Sequence, residues 1–183
     1  MRKVVLLSSQ GVGTGRHPGD LEDAVTGSGI AEWAVLRPSN FDSNALQWAP
    51  SINGQRVVAA PFGDVGLPAV DPADIAEVAK VALVGDLNGV VTLTGPELVT
   101  PRQQVAAIAD ALGEPVRFAE QSRAEARDQM LRFMPEPFVE TTLELLGRPT
   151  ADEQRVSPDV ERVLGRAPRT FGEWAERSVG AFR

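Results

Sequence analysis

Two short apolar runs near the start of the chain have the pattern of parallel strands. The runs at 3-8 and 32-37 carry consecutive aliphatic side chains instead of alternating ones, which is typical of strands covered on both faces. The positions that recur at helical spacing between them are Leu21, Ala24, Val25 and Ser28. This order predicts a strand, a helix and a second strand.

The rest of the chain continues to alternate between strand and helix signals. Further strands are predicted at 56-60, 67-70, 90-94 and 115-119. Helices are predicted from Asp71, over 100-112, at 122-133, 137-146 and 158-164, and from Thr170 onward. We interpret Asp71 and Asp74 as capping groups, Asn53-Gly54 as a turn, and 40-48 as irregular. The alternation predicts an α/β protein with a parallel sheet.

Composition excludes several kinds of chemistry. The 183 residues include no cysteine and one histidine, so disulfides and thiolate chemistry are excluded and we expect no metal site. The net charge of -7 disfavours a nucleic-acid surface, so we expect no nucleic-acid partner. There is no run of 18 apolar residues, and we therefore expect a cytoplasmic protein without a membrane partner.

The glycines after the first run raise two alternatives. Gln10-Gly11-Val12-Gly13-Thr14-Gly15 could be a dinucleotide-binding turn, but Arg16 stands where a fingerprint carries its third glycine. The segment from Arg16 to Asp20 also delays the helix that would receive a pyrophosphate. Arg37 could suit the 2′-phosphate of NADP, although a structural ion pair explains it equally well. We therefore favour a plain mobile loop at these glycines.

A set of motifs spread over the whole chain points to one family. They are Val5-Leu6-Leu7-Ser8-Ser9, Leu36-Arg37-Pro38-Ser39-Asn40-Phe41-Asp42-Ser43-Asn44, Val70-Asp71-Pro72-Ala73-Asp74-Ile75-Ala76, Thr94-Gly95-Pro96-Glu97 and Gly165-Arg166-Ala167-Pro168-Arg169-Thr170-Phe171. In this order and spacing the chain resembles the C-terminal two-thirds of NmrA-like proteins, which are atypical short-chain dehydrogenase/reductase relatives that bind NAD(P).

The resemblance implies a particular architecture. It implies a partial Rossmann-like parallel sheet, the second half of a doubly wound sheet, with a smaller and mostly helical substrate-side region. We expect one domain over 1-183, with the Rossmann-like core mainly in 1-50 and 71-112 and the substrate-side region mainly in 51-70 and 113-183.

The resemblance also implies that the phosphate-binding half of the family's sheet is missing. Arginine outnumbers lysine 16 to 2, which suggests bacterial-type, GC-rich coding. Our hypothesis is that Met1 is an initiator inside a longer reading frame, with about 90 to 110 codons upstream that encode the phosphate loop. We expect this chain alone to bind NAD(P) weakly or not at all.

By the same resemblance, the ends of the first two strands face the nicotinamide and the substrate. The residues expected to contact cofactor are Ser8, Ser9, Pro38, Ser39, Asn40 and Phe41, and those expected in the substrate pocket are Asn44, Trp48 and Phe62. His17 and Ser9 are candidate catalytic residues, since histidine can transfer protons near neutrality. Each has a structural alternative: solvated loop residue for His17, strand-end hydrogen bonding for the serines, capping for the asparagines, and core packing for Trp48 and Phe62.

Three functions remain open at this point. The chain contains no tyrosine, so the tyrosine–lysine pair of many carbonyl-reducing relatives is absent. The first hypothesis is an NAD(P)-dependent oxidoreductase, the second a non-catalytic module that senses a nucleotide or metabolite, and the third a cofactor-free isomerase or cyclase. Each has a small-molecule ligand. We also expect a homodimer through an exposed sheet edge at 3-8.

Overall fold

All five strands are parallel to the strands they pair with. The computed structural model describes residues 3–183, and the hypothesis about Met1 lies outside them. The strands are β1 (Lys3–Leu7), β2 (Glu32–Pro38), β3 (Val57–Pro61), β4 (Gly89–Leu93) and β5 (Arg117–Gln121). The main sheet has the order β1-β2-β4, and β3 pairs with β5 in a second sheet. Val5 lies opposite Ala34, and Leu36 lies opposite Val91.

Helices connect the strands and cover the sheets. They are α1 (Gln10–Gly13), α2 (Asp20–Thr26), α3 (Ala49–Gln55), α4 (Pro72–Val84), α5 (Pro101–Leu112), α6 (Arg123–Met130), α7 (Glu136–Gly147), α8 (Asp159–Leu164) and α9 (Phe171–Ser178). Two 3₁₀ helices lie at Asp42–Trp48 and Val179–Phe182. The helices α2 and α4 both pack against β1 and β2, so the predicted α/β class with a partial Rossmann-like parallel sheet is confirmed.

The segment after β1 begins with the short helix α1, so the prediction of a plain loop was wrong for residues 10–13, whereas residues 14–19 are not helical. The Ser9 side chain accepts a hydrogen bond from the Gly11 N–H at 3.1 Å and caps α1. The Gly11 carbonyl then accepts hydrogen bonds from the backbone N–H groups of Arg16 and His17. These local hydrogen bonds offset the low helix propensity of the two glycines in α1.

The segment between β2 and β3 is more regular than predicted. Most of the stretch 40-48, which was predicted to be irregular, forms the 3₁₀ helix Asp42–Trp48, and this helix leads directly into α3. Asn53 and Gly54 lie inside α3 and do not form a turn. The helix instead ends at Arg56, which adopts a left-handed conformation with φ of 52°. The Arg56 guanidinium compensates by donating to the Ile52 carbonyl at 3.1 Å.

Three further predictions needed correction. Residues 67-70 form only isolated bridges, from Leu67 to Val99 and from Phe41 to Val70, and not a strand. Asp71 caps α4 as predicted, but Asp74 is buried and binds arginines from another part of the chain. The helix predicted at 122-133 ends at Met130.

Three apolar clusters hold these layers together. The first lies between α3, β3, α5 and α9 and contains Ile52, Ile108 and Trp174. The second packs α4 and α8 against the main sheet. The third joins α6 to α7 through Ala126, Val139 and Leu143. Members of the first and third clusters line opposite parts of the larger cleft described below.

One edge of the main sheet carries no partner strand within residues 3–183. β1 pairs with β2 on one side, and none of the other described strands pairs with it. Leu7, at the end of β1, is 57% exposed. The division of the chain into a core and a substrate-side region stays a prediction. In the described part of the chain, every helix is too short or too polar to cross a bilayer.

Candidate functional site

The carboxyl ends of β1 and β2 open into two adjoining cavities. The smaller has a volume of about 90 Å³ and is lined by Ser9, Gly11, Pro38, Ser39 and Asn40, among others. The larger is a cleft of about 560 Å³ between the 3₁₀ helix, β3, α6 and α7. Arg16, His17, Asn40, Leu67 and Leu145 contribute to both. Ligands of open parallel sheets bind at this end of the strands.

The two serines after β1 have different environments. The Ser8 hydroxyl donates to the Glu22 carboxylate at 2.5 Å and is outside the walls of both cavities. Ser9 lines the smaller cavity while its side chain caps α1. The strand-end hydrogen bonding considered for both serines is therefore present, and only Ser9 reaches the site.

Arg37 lies beneath the site in an ion pair. Its guanidinium binds Glu22 through two nitrogens, at 3.0 and 2.5 Å. The hydrogen bond from Arg37 lowers the pKa of Glu22, and the bond from Ser8 adds to this. The structural ion pair that we considered for Arg37 is the arrangement observed. The Glu22 carboxylate neutralises the charge of Arg37.

A second ion pair joins Arg16, which lines both cavities, to Glu153 in the segment before α8, and forms part of the wall there. The Arg16 guanidinium binds both carboxylate oxygens of Glu153, one of them at 2.9 Å, and the Glu153 side chain is only 2% exposed. The hydrogen bond from Arg16 lowers the pKa of Glu153 to about 2, with help from the Thr150 N–H. The charge of Arg16 is therefore also neutralised.

His17 stands where the two cavities meet. Its imidazole lies over Gly11 so closely that a β-carbon on Gly11 would come within 2.5 Å of Nδ1. The residue is exposed. Among the described residues that line the larger cleft, only Arg16 and His17 have side chains that can carry a charge. His17 is thus the one group on this wall whose chemistry suits proton transfer near neutral pH.

The remaining predicted residues are divided between the cleft and the core. Pro38 and Ser39 line the smaller cavity, and the Ser39 hydroxyl donates to the Pro68 carbonyl. The residues that line the larger cleft are Asn40, Phe41, Asn44 and Trp48. No side chain caps the 3₁₀ helix, so the described contacts do not support the capping alternative for the asparagines.

Phe62 is placed away from both cavities. It packs with the third cluster, and its ring lies within 2.7 Å of the position that a β-carbon on Gly147 would take. The core-packing alternative describes this residue, and the structure does not bring it together with Asn44 and Trp48. Its φ of 55° turns the chain between β3 and the loop that follows.

Sequence analysis missed the wall opposite the strand ends. It is formed by α6, α7 and their connecting loop, and its lining residues include Met130, Phe133, Met134, Thr142, Leu145 and Leu146. The sequence predicted a helix at 137-146 but gave no signal of what that helix covers. Phe133 is 67% exposed at this wall.

One buried carboxyl group behind the cleft has no hydrogen-bond partner. Asp42 is 1% exposed, and neither of its carboxylate oxygens is hydrogen bonded within the described residues. Burial above all, together with the carboxylates of Asp71 and Asp74 and against the opposing effect of Arg177, raises the pKa of Asp42 to about 7. Among residues 3–183, no group of three metal-ligating side chains is placed to hold a metal ion.

Comparison with solved structures identifies the architecture. The chain superposes on an NADPH-dependent quinone oxidoreductase from Escherichia coli, solved with NADPH, with a TM-score of 0.79, 19% identity, and coverage of 97% of this chain and 66% of the other. It superposes on NmrA, a negative transcriptional regulator solved with NADP, with a TM-score of 0.65, 17% identity and coverage of 98% and 65%. The chain has the Rossmann-like fold of these proteins.

Sequence relatives of this Rossmann-like chain are oxidoreductases. It is 37% identical over 170 residues to a (4-alkanoyl-5-oxo-2,5-dihydrofuran-3-yl)methyl phosphate reductase of Streptomyces griseus, covering 91% of this chain and 60% of the relative. It is 33% identical over 172 residues to an NAD(P)H azoreductase of Xenophilus azovorans, covering 92% and 60%. The chain therefore spans about 60% of the length of these curated relatives. No family model matches it.

Proposed function

We propose that this chain forms the nicotinamide-side and substrate-side part of an NAD(P)H-dependent reductase. The observation that carries the proposal is the meeting of two parallel strand ends, at Ser9 and at Pro38–Phe41, with a cavity that opens into a larger apolar cleft. The oxidoreductase names of the sequence relatives support it. We include NmrA-like membership and a cytoplasmic location in the proposal.

The residues present suit the uncharged end of the cofactor. Ser9, Pro38, Ser39 and Asn40 would hold the nicotinamide side, because the small cavity they share offers hydroxyl and amide groups, and Phe41 would contact it from the adjoining cleft. Bound NAD(P)H would supply a hydride. The phosphates fit poorly within the described residues, since Arg16 and Arg37 are both paired with glutamates and α1 occupies the glycine segment.

His17 is the side chain we propose as the proton donor to a reduced substrate. It faces the cleft from the junction of the cavities, where it reaches the space next to Asn40. Ser9 is the weaker candidate, because its side chain already caps α1. Because the chain has no tyrosine, the imidazole would donate the proton that a tyrosine donates in many carbonyl-reducing relatives.

Binding of a cofactor fragment tests this assignment directly. Reduced nicotinamide mononucleotide keeps one phosphate but lacks the adenosine of NADPH and the two phosphates attached to it. Because those groups fit poorly here, we expect the chain to bind the fragment about as well as it binds NADPH. His17 is the only histidine, so its ring resonances report contact with either ligand in an NMR titration. We expect Asn40→Ala to weaken both ligands and the exposed Gln55→Ala to leave them unchanged.

Turnover separates the enzyme from a sensing module. Oxidation of NADPH with a panel of quinones and azo compounds is followed in the wild type and in His17→Asn, for which we expect a loss of about 100-fold or more in kcat. Saturable nicotinamide binding without turnover of any acceptor would contradict the reductase and favour the sensor. Full activity in His17→Asn would remove the imidazole from the chemistry.

We also propose that the chain forms a homodimer through β1. The edge is unpaired within the described residues, and unpaired edges associate readily. A lysine on an edge strand opposes such pairing. Leu7→Lys should therefore give a monomer by sedimentation, whereas Leu21→Lys, at a site on α2 that is 72% exposed against 57% for Leu7, should not. A wild-type chain that stays monomeric at high concentration would contradict the dimer.

A further inference from the structure

The wall of the larger cleft carries almost no free charge. Its described lining contains no aspartate, glutamate or lysine, and its one arginine, Arg16, is held by both oxygens of the buried Glu153. A charged ligand group placed in this cleft would lose water without gaining an ionic partner, which is costly. The net charge of -7 adds a general repulsion of anions.

The wall formed by α6 and α7 is apolar and adaptable. Met130, Phe133 and Met134 follow one another around the connecting loop, and Leu145 and Leu146 face them from α7. Methionine side chains adjust to ligands of irregular shape because they are unbranched and polarisable. The hydroxyl groups of this wall, from Thr141 and Thr142, are neutral.

The two arginines of α6 pair with the three glutamates of α7, and none of these five residues lines the cleft. Arg127 binds Glu140 at 2.7 Å and also Glu136, and Arg123 binds Glu140 at 2.7 Å and Glu144 at 3.3 Å. Arg123 and Arg127 are thus paired with carboxylates, and Arg132, between Met130 and Phe133, is exposed and outside the lining of the cleft. The polar side chains that line the cleft near the strand ends are His17, Asn40 and Asn44, and the uncharged amides of Gln47, Gln104, Gln121 and Gln129 line it elsewhere.

We infer that the larger cleft binds an uncharged, largely apolar ligand group, aryl or alkyl, and selects against anionic groups such as phosphate, carboxylate or sulfonate. The inference rests on the proposed function for its reaction, since it names the substrate class of the same site. It places the reducible polar atom of that substrate near His17 and Asn40 and its apolar body against Phe133 and Met134. It concerns only the part of the ligand that lies in this cleft.

Two fluorescent dyes with the same ring system test the inference without any turnover. N-phenylnaphthylamine is neutral, and anilinonaphthalene sulfonate adds one negative charge. We expect the neutral dye to saturate one site per chain and the sulfonate to bind at least about tenfold more weakly. In Phe133→Arg, the ratio of the two affinities should fall by about tenfold or more, because the new guanidinium attracts the sulfonate.

Phe138→Arg is the matched control. Phe138 is 64% exposed, close to the 67% of Phe133, and it follows the same loop, but it does not line the cleft. We expect its dye ratio to equal that of the wild type. Equal or tighter binding of the sulfonate by the wild type, or the same change of ratio in both variants, would overturn the inference. Dye selectivity in a chain that binds neither reduced nicotinamide mononucleotide nor NADPH would remove the proposed reductase and leave the ligand class in place.

Discussion

Replacing Asp42 by asparagine should change how stability depends on pH. The buried carboxyl group has no hydrogen-bond partner within the described residues, and the carboxylates of Asp71 and Asp74 face it from the start of α4, with Arg177 opposing them from α9. The folded state therefore keeps the Asp42 proton up to a pKa of about 7, whereas the ordinary pKa is 3.8. Between these values the folded protein binds more protons than the unfolded chain.

The sign and size of the effect follow from this difference. Stability contributed by the neutral carboxyl group is complete below the ordinary pKa of 3.8 and is lost as the pH rises toward 7. At 1.36 kcal/mol per pKa unit, the loss in the free energy of unfolding amounts to about 4 kcal/mol. Asparagine does not titrate, so Asp42→Asn should lack this loss. Its own buried amide adds an offset that does not change with pH.

Urea unfolding of both proteins between about pH 4 and pH 8 measures the effect. We expect the free energy of unfolding of the wild type, relative to that of Asp42→Asn, to fall steadily over this range and then level off. Titration of the other carboxyl groups cancels in the difference. Asp64→Asn, at a side chain that is 84% exposed, is the control and should show a constant difference. A constant difference for Asp42→Asn as well would refute the reasoning.

Three other perturbations have clear expected outcomes. Above pH 5, the free energy of unfolding of Glu153→Gln should be about 3 kcal/mol lower than that of the wild type. This difference should disappear as the pH falls from 4.5 toward 2, because the wild-type carboxylate is then protonated as well. Urea unfolding across that range checks it. Gly95→Ala should destabilise the protein by about 2 kcal/mol or more, because the new β-carbon would overlap the Ala69 carbonyl oxygen. Gly54→Ala, which faces open space in α3, should be neutral or stabilising. Thermal melting of both variants checks the two expectations. Phe182→Ala should cost about 3 to 5 kcal/mol, because the ring is fully buried against Trp174, and a change below 1 kcal/mol would contradict its place in the core.

The elements that the sequence predicts well are those set by local signals. The apolar runs of β1 and β2 and the capping boxes at Thr100 and Thr170 agree with the structure, because each depends on residues close together in the chain. The helix α1 was missed because glycine has low helix propensity, and its stability comes from the Ser9 cap and from the return of Arg16 and His17 onto the Gly11 carbonyl.

The parts of the site that were missed depend on distant segments. The spacing of α7 shows that one face is apolar, but only the fold shows that this face lies opposite Asn40. In the same way, the position of Asp74 after Asp71 matches a capping pattern, whereas its real partners, Arg166 and Arg169, come from beyond α8. Periodicity within one helix carries no information on such contacts.

The ion pair between Arg16 and Glu153 has a consequence for how the protein is made. Its two residues are 137 positions apart, so the wall they form cannot exist until most of the chain has left the ribosome. The β1-β2 pair and the α2 connection can form much earlier, because their contacts are local. During synthesis the strand ends at Ser9 and Asn40 are therefore exposed without their covering wall, and a nascent chain in this state cannot yet sequester a ligand.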